Sequence, residues 1–301
     1  MENYRIGIDG GGTKTRAVVL NTQLKILGEG ASGSSNIYAV GIESALQNIL
    51  ESADCALTEA SLRREQIAGW GLGLGGVASN LESARVEAAL REHIGAEIGV
   101  SVVEDVVAAH RGAFDWEQNS ATQIVCIAGT GANCFGRNSE GKTAKSDGLG
   151  PLLGDRGSGY RIGEAALRLY GLESDGVTAE TALSPAILAH FGAENTDALI
   201  QIVYASDFER ARVASLAPLV VQLAEDNVST RRILESAGED LAQTARAVLR
   251  RLGDESGEVA LVGGVLSGAA RVRRAFEAAL GADVKLVEAK YESAIGAALL
   301  V

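Results

Sequence analysis

The sequence predicts an α/β protein of two lobes, each a mixed sheet flanked by helices. Three observations lead there. First, 301 residues are more than one hydrophobic core comfortably organises. Second, the chain opens with an antiparallel pattern and continues with alternating strand and helix signals, the order of a mixed layered sheet. Third, a strand, Gly/Thr turn, strand unit occurs twice, at Ile8-Asp9-Gly10-Gly11-Gly12-Thr13 and at Ile127-Ala128-Gly129-Thr130-Gly131. A duplicated architecture follows, with the two turns facing each other across a central cleft.

Taken in order, Tyr4–Ile8 and Arg16–Leu20 read as strands joined by the glycine turn, and Lys25–Glu29 as a third strand. Gly33–Asn36 is a loop, and Ile42–Ala53 has helical spacing. Strand Ile67–Leu74, helix Leu81–His93, strand Gly99–Val103 and helix Val106–Phe114 complete the first lobe, expected over residues 1–114. Composition shifts at Asp115–Ala121. A second cycle then starts with strand Gln123–Ala128, the turn, and strand Asn133–Arg137. The stretch Glu164–Arg251 is helical almost throughout. Strand Glu258–Val262, a Gly263-Gly264 pair, a helix near Val272–Leu280 and strand Val284–Val287 bring the second lobe, with its helical insertion, to residue 291. The closing helix, 292–301, is expected to pack back on the first lobe. Only three prolines occur, and there is no low-complexity segment to act as a linker.

The bulk numbers exclude several classes. A formal net charge of -12 and the lack of a Lys/Arg stripe argue against a nucleic-acid surface. No apolar run reaches the roughly 18 residues needed to span a bilayer, and no secretory signal pattern is evident. A cytoplasmic protein that engages no membrane is expected. Cys55, Cys126 and Cys134 form neither a disulfide framework nor a zinc pattern, so buried reduced thiols are expected. His93, His110 and His190 lie on helical stretches without ligand spacing and read as structural or exposed.

Three consecutive glycines are costly inside a strand, where each loses backbone entropy and packs nothing. At a hairpin tip they leave backbone N–H groups free to converge on an anion. Gly11, Gly12 and Thr13 would supply such groups, with Lys14 as a point charge; Thr130 and Gly131 repeat the device, and Gly263-Gly264 adds a third bare turn. Asp9 repels phosphate, so its natural role is to support a hydrated Mg²⁺, which takes carboxylates and keeps its waters. A glycine turn alone is equally a tight hairpin. The pattern is not a Walker A loop, and the Gly71-x-Gly73-x-x-Gly76 match to a dinucleotide fingerprint lacks its flanking context.

Glu104-Asp105 ends a strand and opens a helix. Asp105 fits a helix cap, and equally a base that takes the proton of an attacking hydroxyl; Glu104 points to the opposite face. The segment from Gly148 to Tyr160 is the densest in glycine, a shaped loop in which Asp155 either binds sugar hydroxyls or serves as a turn acid. Asn36 and Asn133 lie in or beside loops, where an amide suits vicinal hydroxyls or simply a turn.

The succession G-I-D-G-G-G-T-K-T, V-V-E-D-V-V-A-A-H-R-G-A, I-A-G-T-G-A-N, G-L-G-P-L-L-G-D-R-G-S-G-Y-R-I-G and V-A-L-V-G-G-V resembles the N-acetylglucosamine kinase family. Its relatives include the BadF/BadG-type ATPases, within the sugar kinase, actin and heat-shock ATPase superfamily. The resemblance spans nearly the whole chain, and the G-P-L-L-G-D-x-G-S-G-Y block is its most specific part. It implies two ribonuclease-H-like lobes closing over ATP and an amino sugar, Asp105 as the base and Asp9 behind Mg²⁺. It places Thr13 and Thr130 on the phosphates and Gly263-Gly264 against the adenosine. Asn36, Asn133, Gly148 and Asp155 fall on the amino-sugar side. Three departures bear on the sugar: Arg156 stands where relatives have Glu, Arg161 replaces Trp, and the ending Y-E-S-A-I-G-A-A-L-L differs from the common Pro-rich one. The resemblance also implies a homodimer.

The expected activity is transfer of the ATP γ-phosphate to the C6 hydroxyl of N-acetylglucosamine. Glucosamine and N-acetylmuramic acid are the next substrates. The rival enzyme reading is an activator ATPase serving a dehydratase or reductase through an iron–sulfur cluster, and Cys126 and Cys134 flank the second turn, the wrong place for such a cluster. The non-enzymatic alternative is a nucleotide-sensing regulator, which would need a DNA-binding segment, and none is expected before the first strand.

Overall fold

The computed structural model describes residues 3–117 and 121–301. The chain divides into two compact units, Met1–Ser120 with Glu288–Val301, and Ala121–Val287. The composition shift expected at Asp115–Ala121 includes residues 118–120, which lie outside the described residues.

The first unit runs β1 (Tyr4–Gly10), β2 (Thr15–Leu20), β3 (Ile26–Ser32), α1 (Ile37–Ala60), β4 (Ile67–Leu74), α2 (Asn80–Ile94), β5 (Gly99–Glu104) and α3 (Asp105–Ala113). The second runs β6 (Gln123–Ala128), β7 (Ala132–Arg137), β8 (Thr143–Asp147), α4 (Gly150–Leu153), α5 (Gly159–Ser174), α6 (Leu183–Phe191), α7 (Thr196–Val203), α8 (Arg210–Ala214), α9 (Ala217–Leu223), α10 (Val228–Leu252), β9 (Gly257–Val262), α11 (Gly264–Gly268), α12 (Ala270–Leu280) and β10 (Val284–Val287). Helix α13 (Ser293–Ala298) belongs to the first unit.

The two sheets share one topology. Their orders are β3-β2-β1-β4-β5 and β10-β9-β6-β7-β8, each an antiparallel three-strand meander extended by two parallel strands. The duplication read from the glycine turns is therefore a duplication of the whole sheet. In the first unit the core is Ile6, Ile8, Trp70, Leu72 and Leu74 from the strands against Ile49 and Leu90 from the helices. In the second, Ile124 and Val259 meet Ile162, Leu234, Leu241 and Phe276.

Helix α13 shows why its sequence, Ser-Ala-Ile-Gly-Ala-Ala, is so small. A Cβ on Gly7 would run into the carbonyl of Ala294, and one on Gly71 into that of Ala297. Helix and sheet approach backbone to backbone, which only glycine and alanine permit. The segment leading into α13 is tied down as well, since Tyr291 N–H donates to Gly112 O at 2.8 Å and Lys290 N–H to Ala113 O at 3.1 Å. The glycines that mimic a dinucleotide fingerprint are thus packing residues: Gly71 and Gly73 lie inside β4, against α13 and α3.

Several expectations are corrected. Helix α1 opens with a short turn from Ile37, Gly41 (φ 78, ψ 163) breaks the helical geometry, and the regular helix begins at Ile42 as expected but runs on to Ala60, past the expected Ala53. Strand β8, Thr-Ala-Lys-Ser-Asp, was not expected; it is a sheet edge and carries no apolar alternation. The cysteines are corrected too. Cys126 and Cys134 are joined as a disulfide, and Cys55 is exposed. The pairing is a consequence of register: the three-residue turn sets Ala128 opposite Ala132, so Cys126 falls opposite Cys134, with Cα atoms 4.3 Å apart.

Candidate active site

In the first unit the sequence-selected residues collect at the carboxyl ends of the parallel strands β1, β4 and β5, the ordinary location of ligand sites in such sheets. The β1–β2 hairpin is closed by Gly11 N–H donating to Lys14 O at 3.0 Å. Its underside is buttressed: Ser35 N–H and the Ser34 hydroxyl both donate to Gly11 O, at 3.2 and 3.1 Å, and Gly75 N–H donates to Gly10 O at 2.7 Å. The carbonyls are consumed inward, while Gly12, Thr13 and Lys14 stay exposed and their amides meet no acceptor among the described residues. That is the arrangement of an anion nest.

Asp105 is the first residue of α3, and the capping position expected for it belongs to Glu104. Its Oδ1 accepts its neighbour's Val106 N–H at 2.7 Å. Its Oδ2 lies 3.2 Å from the Cβ position of Gly75, a point only 3.5 Å from Gly10 O and Gly11 Cα. The fold therefore carries Asp105 from β5 to the side of the first glycine turn. Asn36 joins the same edge. Its Oδ1 caps α1 by accepting the N–H groups of Tyr38 and Ala39, and its amide presses against Gly76. The cap reading and the ligand reading are compatible, because the cap uses the oxygen and leaves the Nδ2 hydrogens.

Asp9 pairs in register with Arg16 on one side and Gly73 on the other. Burial pushes its carboxyl above the usual range, Arg16 and Lys14 pull it back, and Glu292 adds to the rise. Arg16 is itself held by Glu29 at 2.8 Å and Glu292 at 2.7 Å.

The second unit gathers its own set. Gly129 N–H closes the β6–β7 turn on Gly131 O at 2.9 Å. The first amides of α5 consume the turn's other carbonyls, Gly159 N–H to Gly129 O at 2.8 Å and Tyr160 N–H to Thr130 O at 3.2 Å. The amides of Thr130 and Gly131 meet no acceptor among the described residues. Gly263 follows β9 beside this turn, where a Cβ would stand 2.5 Å from Ala128 O, and Gly264 borders open space.

Asn133 on β7 stands opposite Asp147 in register and packs on Gly148, whose φ of 72 suits only glycine well. Asp155 holds a left-handed conformation (φ 57) that costs an ordinary residue energy. It is 3% exposed; its Oδ1 accepts Ala132 N–H at 3.1 Å, while its Oδ2 has no hydrogen-bond partner. Burial holds its carboxyl above the usual range, and the Ala132 bond and Arg210 oppose the rise. A buried acceptor left unmatched is expensive unless a ligand completes it.

Asp147 is the residue the sequence reading missed. Its side chain is fully buried and accepts Asp155 N–H at 2.7 Å and Arg156 N–H at 2.9 Å, with Arg156 Nε at 3.4 Å. It fixes the backbone that presents Asp155. The signal was present, an acid immediately before Gly148, but its strand was not recognised. Arg161, the other departure from the family pattern, donates to Gly154 O from Nε and Nη2 at 3.1 and 3.0 Å and pairs with Glu164. Both arginines therefore brace this loop.

The chain is similar to known proteins over nearly its whole length. The family model of the BadF/BadG/BcrA/BcrD ATPase family matches residues 6–301. An N-acetylmuramic acid/N-acetylglucosamine kinase of Clostridium acetobutylicum is 31% identical over 99% of this chain and 97% of its own. An N-acetyl-D-glucosamine kinase of Dictyostelium discoideum is 30% identical over 82% and 80%. Among solved structures, a candidate N-acetylglucosamine kinase from Chromobacterium violaceum superposes with a TM-score of 0.81 at 27% identity, covering 99% and 98% of the two chains. With a match over almost its full length, the chain belongs to the BadF/BadG/BcrA/BcrD ATPase family.

Proposed function

We propose that the protein is an ATP-dependent amino-sugar kinase that phosphorylates the C6 hydroxyl of N-acetylglucosamine, with glucosamine and N-acetylmuramic acid as the nearest alternatives. The observation that carries the reading is Asp105: a carboxylate delivered by a separate strand to the edge of a glycine turn whose Gly12, Thr13 and Lys14 amides are unspent. A base beside an anion nest is what phosphoryl transfer to an alcohol requires. The names of the relatives support the amino sugar.

In this reading Asp105 accepts the proton of the sugar hydroxyl as its oxygen attacks the γ-phosphate. Asp155 takes a second sugar hydroxyl on its unmatched Oδ2, and Asn133, Gly148 and Asn36 shape the remaining sugar contacts. Gly12, Thr13 and Lys14 hold phosphate oxygens, as do Thr130 and Gly131, while Gly11, its N–H spent on Lys14 O, closes the turn that presents them, and Gly263-Gly264 leaves room for the adenosine. Asp9 fits a magnesium ion held mainly by phosphate and water: it is one carboxylate, and no group of three or more metal-ligating side chains occurs among the described residues. When bound, that ion would offset charge on the phosphates. Developing charge is otherwise met by preorganised backbone amides.

The test is Asp105→Asn. Loss of a general base lowers turnover by about 10²–10⁴, so sugar-dependent ADP release should fall by that factor while an ATP analogue still binds. A panel of hexosamines assayed with the unaltered protein ranks the substrates. Undiminished turnover in Asp105→Asn would overturn the assignment.

A further inference from the structure

Arg210 has no part in the chemistry above, yet it stands at the centre of the second unit's site. It is the first residue of α8, and its side chain is 47% exposed. One terminal nitrogen, Nη2, lies 3.7 Å from Asp155 Oδ2, within ion-pair range but beyond a hydrogen bond. The same nitrogen lies 3.0 Å from the point where Gly131 would carry a Cβ. The guanidinium thus overhangs the second glycine turn and the buried acid together.

A purely structural Arg–carboxylate pair closes its fork on both oxygens at about 2.7–2.9 Å. Here the contact is longer, and Asp155 Oδ2 still lacks a hydrogen bond. The two glycine turns also differ in charge. The first ends in Lys14, whereas Gly129-Thr130-Gly131 contains no cation. An anion seated over Gly131 would lie beside Asp155, since the Cβ point of Gly131 is 2.7 Å from Asp155 Oδ1. Phosphate and carboxylate at that spacing repel unless a cation lies between them.

We propose that Arg210 is a nucleotide-contacting residue: it donates to a phosphate oxygen at the Gly129-Thr130-Gly131 turn and shields that phosphate from Asp155. The five N–H donors of a guanidinium let one side chain face both groups. No bond to Arg210 forms or breaks. The proposal rests on the kinase reading.

The experiment compares Arg210→Ala and Arg210→Lys with the unaltered full-length protein. Steady-state ADP release is measured with ATP varied at saturating sugar and with sugar varied at saturating ATP, and ADP binding without sugar is measured by calorimetry. Loss of a charge-assisted hydrogen bond predicts that Arg210→Ala lowers kcat/KM for ATP by about ten- to a hundredfold. ADP binding should weaken in parallel, the KM for sugar should stay within about twofold, and Arg210→Lys should recover part of the loss as a point charge. If Arg210→Ala raises only the KM for sugar and binds ADP normally, Arg210 acts solely through Asp155 and the proposal is overturned. If the unaltered protein phosphorylates no hexosamine, the kinase reading fails separately. ADP binding then decides the arginine: weaker binding by Arg210→Ala supports the contact, and equal binding rejects it.

Discussion

Replacing Asp147 by alanine should damage stability and sugar binding together, and the structure gives the size of the effect. The side chain is fully buried and accepts two backbone N–H groups, from Asp155 at 2.7 Å and Arg156 at 2.9 Å. Hydrogen bonds to a charged group contribute about 1.5–3 kcal/mol each, so their joint loss costs about 3–6 kcal/mol. The 3.4 Å contact with Arg156 adds little, because that arginine is 44% exposed. At a urea slope of about 2–3 kcal/mol/M, the unfolding midpoint of the second unit should drop by about 1–3 M. The local consequence is more specific. Asp155 is kept at φ 57 by its own N–H bond to Asp147. Without that tether its backbone relaxes toward negative φ, and the carboxylate leaves Ala132 N–H. The KM for sugar should therefore rise much more than the KM for ATP. Asp147→Asn keeps one acceptor oxygen and should fall between the two proteins on both measures. An unchanged midpoint together with an unchanged sugar KM in Asp147→Ala would refute the reasoning.

Two further perturbations probe the same scaffold. Burial keeps the Asp155 carboxyl above its usual range, so the native state holds that proton more tightly than the unfolded chain, and the ionised form opposes folding at neutral pH. Asp155→Asn, which retains the acceptor for Ala132 N–H, should then raise the urea midpoint at pH 7. Its advantage should shrink as pH falls toward the unfolded carboxyl value of about 3.9 and the unaltered protein regains stability by protonation; a lower midpoint at pH 7 contradicts this. Gly71→Val should yield no soluble protein, because its Cβ collides with the Ala297 carbonyl and overpacking against backbone exceeds the usual 1–3 kcal/mol or so. Gly12→Ala, which meets nothing within 4 Å, is the control, and its unfolding free energy should stay within about 0.5 kcal/mol of the unaltered protein's.

How far the sequence could be read depended on whether a residue's partner lay nearby in the chain. The glycine turns were legible because a turn is local: its cost inside a strand and its use at a hairpin tip follow from a few adjacent residues. Asp105 was legible for the same reason, standing where strand signals give way to helix signals. Asp147 was not, because its role depends on amides eight and nine residues later and on an edge strand whose polar residues show no period. Arg210 falls within the helical stretch Glu164–Arg251, but only folding sets it over Gly131. The cysteine pair is the instructive middle case. Both strands and the turn between them were already in hand, and counting outward from the turn places Cys126 opposite Cys134; compartment statistics for thiols outweighed the register.

The shared strand order shows that the two units place their acids differently on one scaffold. Strand β9 is the counterpart of β4, and each is followed by a glycine pair, Gly263-Gly264 and Gly75-Gly76. In the first unit the next parallel strand, β5, delivers an acid, Asp105, to the side of that pair. In the second the corresponding strand is β10, which ends at Val287, and the acid arrives instead from the loop after the edge strand β8. A repeated sheet supplies the same bare amides twice, since those depend only on hairpin geometry. The acids are placed by unlike elements, α3 in one case and a strained glycine-rich loop in the other. The first carboxylate rests at the start of a helix, half-buried. The second needs Asp147 beneath it and a left-handed backbone of its own, and Gly154 is bare because a Cβ there would run into the Asp147 carboxylate, so the supporting residues are as exacting as the acid itself.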